Sequence, residues 1–216
     1  MVSNIALTIS SLAAIISVII AIISSVKNNK SAKKANELQE ESNRIQAGQR
    51  FLGWNDIERY VRGILHKMND DGFVPTCIFA TSIGSSIVAS MIAKRLVNEP
   101  DTSIPIFSGM LIGRKKEDEE IITYEGFDVS ELAKRGFLLI PKDLPIRNSD
   151  QILIVRDHSG SGICFDILIK YFGNKNVKKN NIRTACIAYN AETRYIVPDY
   201  SCFETDKIWF PWGKNL

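Results

Sequence analysis

The sequence has few of the residues that build metal centres or disulfide frameworks. It contains four cysteines and two histidines in 216 residues, and no two cysteines stand in a CxxC pair. These residues are spread along the chain: Cys77, Cys164, Cys186, Cys202, His66 and His158. So scattered a set predicts neither a zinc site nor a disulfide framework, and we expect buried, reduced thiols.

The chain also lacks a strong charge of either sign. Its net charge is +3, and no basic stripe interleaved with aromatic residues occurs along it. Proteins that bind nucleic acid usually carry such a stripe, because phosphate neutralisation dominates their affinity. We therefore expect no nucleic-acid partner.

The N-terminal segment from Ile5 to Val26 has no charged residue, no proline and no glycine. A helix of about 22 residues, rising 1.5 Å per residue, spans a hydrocarbon core of roughly 30 Å. We predict a transmembrane anchor at residues 1–26. A cleaved signal peptide is the alternative, but no basic residue precedes the run and no clear small-x-small cleavage site follows it.

The flanking charges predict the orientation of this anchor. Lys27, Lys30, Lys33 and Lys34 follow the apolar run, whereas no Lys or Arg precedes it. The positive-inside rule then places the rest of the chain in the cytoplasm, and the lysines face anionic lipid headgroups. We expect a single-pass membrane protein with a cytoplasmic C-terminal domain.

Residues 27–50 form a polar segment without proline that we interpret as a juxtamembrane helical linker. Ala35, Leu38, Ile45 and, just beyond the segment, Leu52 stand at heptad-compatible positions, with Ser42 and Gln49 at alternate seam sites. A solvated linker and a short coiled coil both fit this pattern. A homodimer is therefore only a hypothesis.

Residues 51–216 alternate strand-like and helix-like segments. Asn55 or Asp56 can cap a first helix that ends at Asp71-Gly72. The expected strands are 76–80, 104–112, 137–140, 152–155 and 181–189, with further helices at 87–97 and 129–135, a loop at 81–86 and a charged stretch at 114–120. This alternation predicts an α/β domain around a mainly parallel sheet flanked by helices, with ligands at the carboxyl ends of the strands.

The segment 151–164 has the clearest chemical pattern. Four apolar residues, 152–155, are typical of a buried parallel strand, and a Ser- and Gly-rich loop follows Asp157. Small residues let backbone N–H groups close around a phosphate at the start of the next helix, although an ordinary turn has the same composition. A carboxylate at the end of a buried strand is costly unless a polar group faces it, so we expect Asp157 to contact a ligand.

Several stretches between residues 51 and 212 resemble the type I phosphoribosyltransferases, most closely the purine (xanthine/hypoxanthine-guanine) branch. Residues 54–57 and 72–75, with the strand leading into Ser82-Ile-Gly-Ser85, resemble the start of that family and its pyrophosphate loop. The strand 152–155 with Arg156, Asp157 and the Ser-Gly pair at 161–162 resembles its signature for phosphoribosyl pyrophosphate. The segments 198–200 and 210–212 are similar to the C-terminal part of this branch.

The resemblance implies a ligand, a cofactor and residue roles. It implies phosphoribosyl pyrophosphate or a purine nucleotide as ligand, Mg²⁺ on the pyrophosphate with Asp157 as its protein ligand, and Asp157 on the ribose hydroxyls. The implied binding residues for the phosphates are Ser82, Ile83, Gly84, Ser85, Arg156, Ser159, Gly160, Ser161, Gly162, Ile163 and Cys164. Arg114 or Lys115 would oppose the leaving group, although 114–120 also reads as a solvated charge run. Trp212 would stack on a base or pack in the core.

The chain departs from the family pattern at several of these positions. Arg156 replaces the first of two adjacent acids, Gly160 replaces the acid that accepts a proton from a purine, and Cys164 replaces a Thr. In the first loop, Ile83 and Ser85 replace a common basic residue and a common Gly. A missing carboxylate at 160 removes acid/base help worth about a hundred- to ten-thousandfold in rate.

Two replacements leave alternatives open. His158 is a candidate catalytic substitute, or a histidine hydrogen-bonded to backbone. Arg156 is a bidentate phosphate partner, or the partner of a neighbouring acid. We therefore expect a membrane-anchored domain that binds phosphoribosyl pyrophosphate or a purine nucleotide, with transfer to a purine base if active. The alternative is a catalytically degenerate nucleotide sensor or membrane effector in bacterial stress or antiphage signalling.

Overall fold

The structure is a computed structural model that describes residues 50–97, 103–112, 124–128, 137–190, 195–205 and 207–214. Residues Phe51–Leu216 form one compact unit. The predicted anchor, the linker up to residue 49, the helix at 129–135, Arg114 and Lys115 lie outside the described residues. Among the helices that are described, none is both long and apolar enough to cross a bilayer.

The described elements alternate as the sequence predicts. Three α-helices are α1 (Trp54–Asp70), α2 (Ile83–Leu96) and α3 (Ile163–Asn174), and a 3₁₀ turn covers Lys179–Asn181. The strands are β1 (Arg50–Phe51), β2 (Cys77–Ala80), β3 (Ile106–Ser108), β4 (Met110–Ile112), β5 (Tyr124–Asp128), β6 (Phe137–Pro141), β7 (Ile152–Ser159), β8 (Ile182–Tyr189), β9 (Tyr200–Glu204), β10 (Ile208–Phe210) and β11 (Gly213–Lys214).

The central sheet is fully parallel, with strand order β3-β2-β7-β8-β9. A three-stranded antiparallel sheet, β4-β6-β5, and a smaller sheet, β1-β10-β11, accompany it. The predicted α/β class with a mainly parallel sheet flanked by helices is confirmed.

The two faces of the central sheet are covered by different elements. Residues of α1 and α2 pack against one face, where Ile78, Leu153 and Ile187 are buried. Residues of α3 and β6 pack against the other face, where Phe79 and Ile154 are buried. Side chains alternate between faces along a strand, and each large apolar side chain buried in this way contributes about 1.5–3 kcal/mol.

Two predicted boundaries are wrong at the first helices. The cap of α1 is Gly53 rather than Asn55 or Asp56, and the Asp56 carboxylate instead accepts a hydrogen bond from the Gly53 N–H at 3.0 Å. Helix α2 begins at Ile83, within the predicted loop 81–86, because the Ser82 hydroxyl accepts the Ser85 N–H and caps the helix. Only residues 81 and 82 link β2 to α2.

The predicted strand 104–112 is two strands in two different sheets. Gly109 separates them, and its N–H donates to the carbonyl of Ala80 at 2.7 Å. A β-carbon at position 109 would lie 2.8 Å from the carbonyl oxygen of Leu139. The chain therefore needs glycine where it leaves the central sheet for the antiparallel one.

The cysteines are free, as expected. Cys77, Cys164 and Cys186 are buried and Cys202 is half-buried. Burial raises the pKa of the Cys77 thiol to about 12 and that of Cys202 to about 11, and it raises the pKa of Cys186 further. A thiol in an apolar surrounding is protonated and inert at neutral pH.

Candidate functional site

The predicted site residues gather at the carboxyl edge of the central sheet. Strands β2 and β7 are parallel neighbours, with Ala80 opposite Val155, and helices α2 and α3 begin just beyond their ends. The carboxyl ends of adjacent parallel strands meet at one edge of a sheet, which is where α/β proteins bind ligands. Residues 82–85 and 156–162 are thereby brought together.

Strand β7 is longer than predicted and contains several of the expected loop residues. It runs to Ser159 rather than Val155, so Arg156, Asp157, His158 and Ser159 are strand residues. Because side chains alternate along a strand, Asp157 and Ser159 lie on the opposite face from Arg156 and His158. The Ser- and Gly-rich loop is consequently only Gly160 to Gly162.

The Asp157 carboxylate is buried and surrounded by donors from the protein itself. The side chain is 1 % exposed. Its Oδ2 accepts the indole N–H of Trp212 at 3.0 Å, and its Oδ1 accepts the backbone N–H of His158 at 3.0 Å. The hydroxyls of Ser82 and Ser85 lie 3.5 Å from Oδ1. These contacts satisfy a carboxylate that would otherwise be costly to bury.

Gly84 makes the close packing around Asp157 sterically feasible. A β-carbon at position 84 would lie 1.9 Å from Oδ2 of Asp157 and 2.3 Å from Nε1 of Trp212. Both distances are far inside van der Waals contact. The glycine of the predicted pyrophosphate loop therefore serves to bring α2 against the Asp157–Trp212 pair.

The first turn of α2 presents serines inward and an isoleucine outward. The hydroxyls of Ser82 and Ser85 lie 2.6 Å apart, and Ser85 is fully buried. Ile83, which stands where the family commonly has a basic residue, is 82 % exposed. It lines an apolar groove of about 800 Å³ together with Trp54, Met110 and other residues of α2.

Arg156 binds neutral groups. Its Nη1 donates to the Thr81 hydroxyl at 2.7 Å, and its Nε donates to the carbonyl of His158 at 3.0 Å. Arg156 thus ties the end of β7 to the residue that follows β2. It also opposes the effect of burial on the pKa of the neighbouring Cys186 thiol.

His158 is held by backbone. With its proton on Nε2, the ring donates to the carbonyl of Thr205 at 3.0 Å, just after β9. This contact corresponds to the backbone-bonded alternative considered above. The nitrogen that makes this bond is not available as a base while the contact lasts.

The phosphate-type loop has the geometry of a helix N-terminus open to an anion. Gly162 caps α3 with φ +81°, a left-handed conformation that favours glycine, and the Ile163 N–H lies 3.4 Å from the Ser161 hydroxyl. The first N–H groups of a helix have no partner within it, and its dipole favours negative charge. Ser159 beside this loop is buried, and its hydroxyl has no hydrogen-bond partner among the described residues.

The predicted metal ligand does not fit Mg²⁺ in this arrangement. Mg²⁺ requires open oxygen ligands at about 2.0–2.1 Å, whereas the Asp157 carboxylate is enclosed by its donors. Within the part of the chain that the structure describes, no group of three or more His, Cys, Asp or Glu side chains could hold a metal ion.

Sequence reasoning missed three contacts of this site. Thr81 binds Arg156, Thr205 binds His158, and Trp212 binds Asp157. The partners of these pairs are separated by 75, 47 and 55 positions along the chain. The similarity of the segment 210–212 to the family was a signal for Trp212, but it implied base stacking or core packing.

This arrangement of sheet, helices and loops is the fold of the type I phosphoribosyltransferases. A purine phosphoribosyltransferase from Pyrococcus horikoshii matches with a TM-score of 0.58 and 23% identity, over 77% of this chain and 94% of that one. A xanthine-guanine-hypoxanthine phosphoribosyltransferase from Helicobacter pylori matches with a TM-score of 0.54 and 13% identity, over 76% and 92%.

A third similar structure is a hypothetical protein from Neisseria gonorrhoeae with bound ppGpp. It matches with a TM-score of 0.52 and 16% identity, over 76% of this chain and 89% of that one. No protein-family model matches the sequence, and no curated protein is a significant match. At these identities, structural similarity establishes the fold, and function must be argued from the site.

Proposed function

We propose that residues 51–216 bind phosphoribosyl pyrophosphate or a purine nucleotide, with a phosphate held at the start of α3. The observation that carries this proposal is the loop Gly160 to Gly162, which follows a parallel strand and leads into a helix N-terminus through a left-handed glycine. Backbone N–H groups at such a position form an anion site. The similar structures of purine phosphoribosyltransferases, and of a ppGpp-bound protein, support this class of ligand.

The geometry favours binding without transfer. Asp157 is enclosed by Trp212 and the His158 backbone, and Arg156 is engaged with Thr81. Position 160 carries no carboxylate that could accept a proton from a purine. Position 160 therefore supplies no acid or base for catalysis at the sugar, whereas phosphate binding at the N-terminus of α3 needs none.

Calorimetry on the full-length chain in mild detergent tests this proposal. Phosphoribosyl pyrophosphate, GMP, AMP and ppGpp are titrated with and without Mg²⁺, and the same sample is then assayed for pyrophosphate release with purine bases. We expect binding of at least one ligand and no release. Release would instead establish a transferase with unusual catalytic groups, and absence of binding by all four would overturn the proposed ligand class.

Two variants locate the binding site. Ser161→Glu places a negative charge at the start of α3 and should weaken binding at least tenfold, because the site is proposed to hold a phosphate. Asn180→Glu is the charge-matched control, since Asn180 is exposed and lies just before β8, at the edge of the sheet opposite the loop. Equal affinities of the two variants would place the ligand elsewhere.

We further propose that this domain acts from a membrane, as a sensor or effector in bacterial stress or antiphage signalling. The apolar segment Ile5 to Val26 and the lysines after it support an anchor with a cytoplasmic domain. A soluble salvage enzyme needs no such anchor. Crosslinking in detergent, with and without residues 1–50, tests whether the linker supports a homodimer; equal dimer yields would exclude a role for it.

A further inference from the structure

The indole of Trp212 is hydrogen-bonded to the carboxylate that the family resemblance assigns to the ribose hydroxyls. The Trp212 Nε1 donates to Oδ2 of Asp157 at 3.0 Å. Hydrogen bonds to an ionised acceptor are about twice as strong as neutral ones. A ligand hydroxyl can reach this oxygen only by displacing the indole.

Neighbouring rings hold Trp212 in this position. Its ring stacks on Phe210, with centroids 4.9 Å apart and planes inclined by 9°. It also packs against Trp54 at 5.7 Å, while Gly84 leaves no space between α2 and the hydrogen-bonded pair. The bond between Trp212 and Asp157 is thus a built contact of the fold.

The same tryptophan is partly exposed to solvent. It is half-buried and lies in the turn between β10 and β11, strands of three and two residues. Among the described residues, Trp209 pairs with Lys214 and Phe210 pairs with Gly213 between these strands. Ile208 and Phe210 of β10 are buried in the core, so the indole leaves Asp157 by rotation of the Trp212 side chain and the central sheet stays intact.

We propose that Trp212 is a specificity-determining residue that competes with the ribose 2′,3′-diol for Asp157. This inference rests on the proposed nucleotide site at the start of α3. The phosphate of a ligand binds the loop, whereas its diol gains the carboxylate only when the indole N–H leaves. The wild-type chain therefore discriminates weakly between ligands with and without a diol.

Trp212→Phe tests the competition, because it removes the N–H donor and keeps an aromatic ring. Calorimetry compares GMP with 2′,3′-dideoxy-GMP on the full-length chain in detergent. We expect the variant to bind GMP about tenfold more tightly than the wild type, since a charge-assisted hydrogen bond no longer has to be broken. Its affinity for the dideoxy analogue should stay at the wild-type value.

Trp209→Phe is the matched control. Trp209 lies in the same hairpin and stacks on Phe51, whereas the indole that donates to Asp157 is that of Trp212. This variant should retain the wild-type affinities for both nucleotides. A tenfold gain for GMP in this control as well would assign the effect to loosening of the hairpin and overturn the proposal.

A second measurement does not depend on folding of the Trp212 variant. In the double variant Trp54→Phe with Trp209→Phe, Trp212 is the only remaining tryptophan of the three in the chain. We expect GMP to shift its fluorescence emission to longer wavelength as the indole becomes solvated, and the dideoxy analogue to leave it unchanged.

The outcomes separate this inference from the proposed function. If GMP binds, but Trp212→Phe gives the wild-type ratio of affinities and Trp212 emission does not move, the competition is refuted and the nucleotide site stands. If neither nucleotide binds the wild type or the folded variant, the proposed function fails and the inference fails with it.

Discussion

Gly84 shows how a single residue determines which contacts the candidate site can make. Glycine in a loop beside a phosphate site is usually explained by close approach of the backbone to the ligand. Here the space above Gly84 is filled by the Asp157 carboxylate and the Trp212 indole. Its small size therefore supports a contact within the protein, and a larger residue would separate α2 from that pair.

We predict that Gly84→Ala lowers the free energy of unfolding by about 1–3 kcal/mol, because the added methyl group overlaps buried atoms. Urea denaturation followed by circular dichroism measures this. Gly63→Ala in α1 is the control, since nothing lies within 4 Å of its β-carbon and alanine favours a helix by about 1 kcal/mol. A Gly84→Ala variant as stable as the wild type would contradict the close packing described here.

The Cys202 thiol makes the free energy of unfolding depend on pH, and a variant without the thiol isolates this contribution. Burial raises the pKa of its thiol to about 11, and the nearby Lys67 ammonium opposes this effect. A raised pKa in the folded state contributes stability that is complete below pH 9 and is lost as pH rises toward 11. The thiol also lies 3.4 Å from the carbonyl of Tyr60, to which it can donate.

We therefore predict that the wild type loses about 1 kcal/mol more stability than Cys202→Ala between pH 9 and pH 10.5, after allowance for partial solvent screening. Other groups titrate in this range, so only the difference between the two proteins is informative. Urea denaturation at half-unit intervals measures it. Parallel curves for the two proteins would show that the thiol has an ordinary pKa.

At the scale of elements, Asp199 links the start of β9 to its neighbour β8 in the central sheet. Its Oδ2 accepts both the backbone N–H and the hydroxyl of Thr184 at 2.7 Å, and its own N–H donates to that hydroxyl at 2.9 Å. Thr184 is fully buried on β8, and Asp199 directly precedes β9. The segment 198–200, noted for its family resemblance, is thus a strand connection in this structure.

We predict that Asp199→Ala lowers the free energy of unfolding by about 2–3 kcal/mol, because it leaves two buried donors of Thr184 without an acceptor. Asp70→Ala is a matched control, since Asp70 makes an exposed pair with His66 and should cost less than about 0.5 kcal/mol. Thermal or urea denaturation distinguishes the two. Similar losses in both variants would remove the structural role assigned to Asp199.

The element boundaries show which parts of local structure the sequence determines. Alternating apolar segments predicted the order of strands and helices, and Asp71-Gly72 correctly marked the end of α1. The extension of β7 through Arg156 to Ser159 could not be predicted, because its polar side chains find partners on distant elements. Likewise, the small-residue pattern of 81–86 predicts a loop, whereas Ser82 caps α2, because a serine hydroxyl can accept a backbone N–H in either setting.

At the scale of the whole molecule, the sequence located the candidate site but not its internal contacts. Parallel strands place residues 82–85 and 156–162 at one edge by topology alone, so their proximity was predictable. The hydrogen bond between Asp157 and Trp212 joins residues 55 positions apart and depends on where the C-terminal hairpin packs. The position of Asp157 at the end of a buried strand therefore predicts that a polar group contacts its carboxylate. It does not predict whether that group belongs to a ligand or to the protein.

The apolar segment Ile5 to Val26 leads to a prediction about the complete chain. We expect the full-length protein to sediment with membranes and to resist extraction by high salt and alkaline carbonate, because about 20 apolar residues insert stably into a bilayer. A C-terminal reporter that is active only in the cytoplasm should be active, given the lysines that follow the segment. Fractionation of expressing cells measures both properties.

Substitutions that add charge at different positions distinguish insertion into the bilayer from association with the membrane surface. Ile15→Arg with Ile16→Arg puts two charges at the centre of the segment, each costing about 2.5–3.5 kcal/mol on insertion scales, and should move the protein to the carbonate-soluble fraction. Asn36→Arg adds charge within the linker and should leave the protein in the membrane. If the wild type itself were extracted by carbonate, the lysines and not a spanning helix would account for its membrane association, since interfacial attraction is screened and reversible.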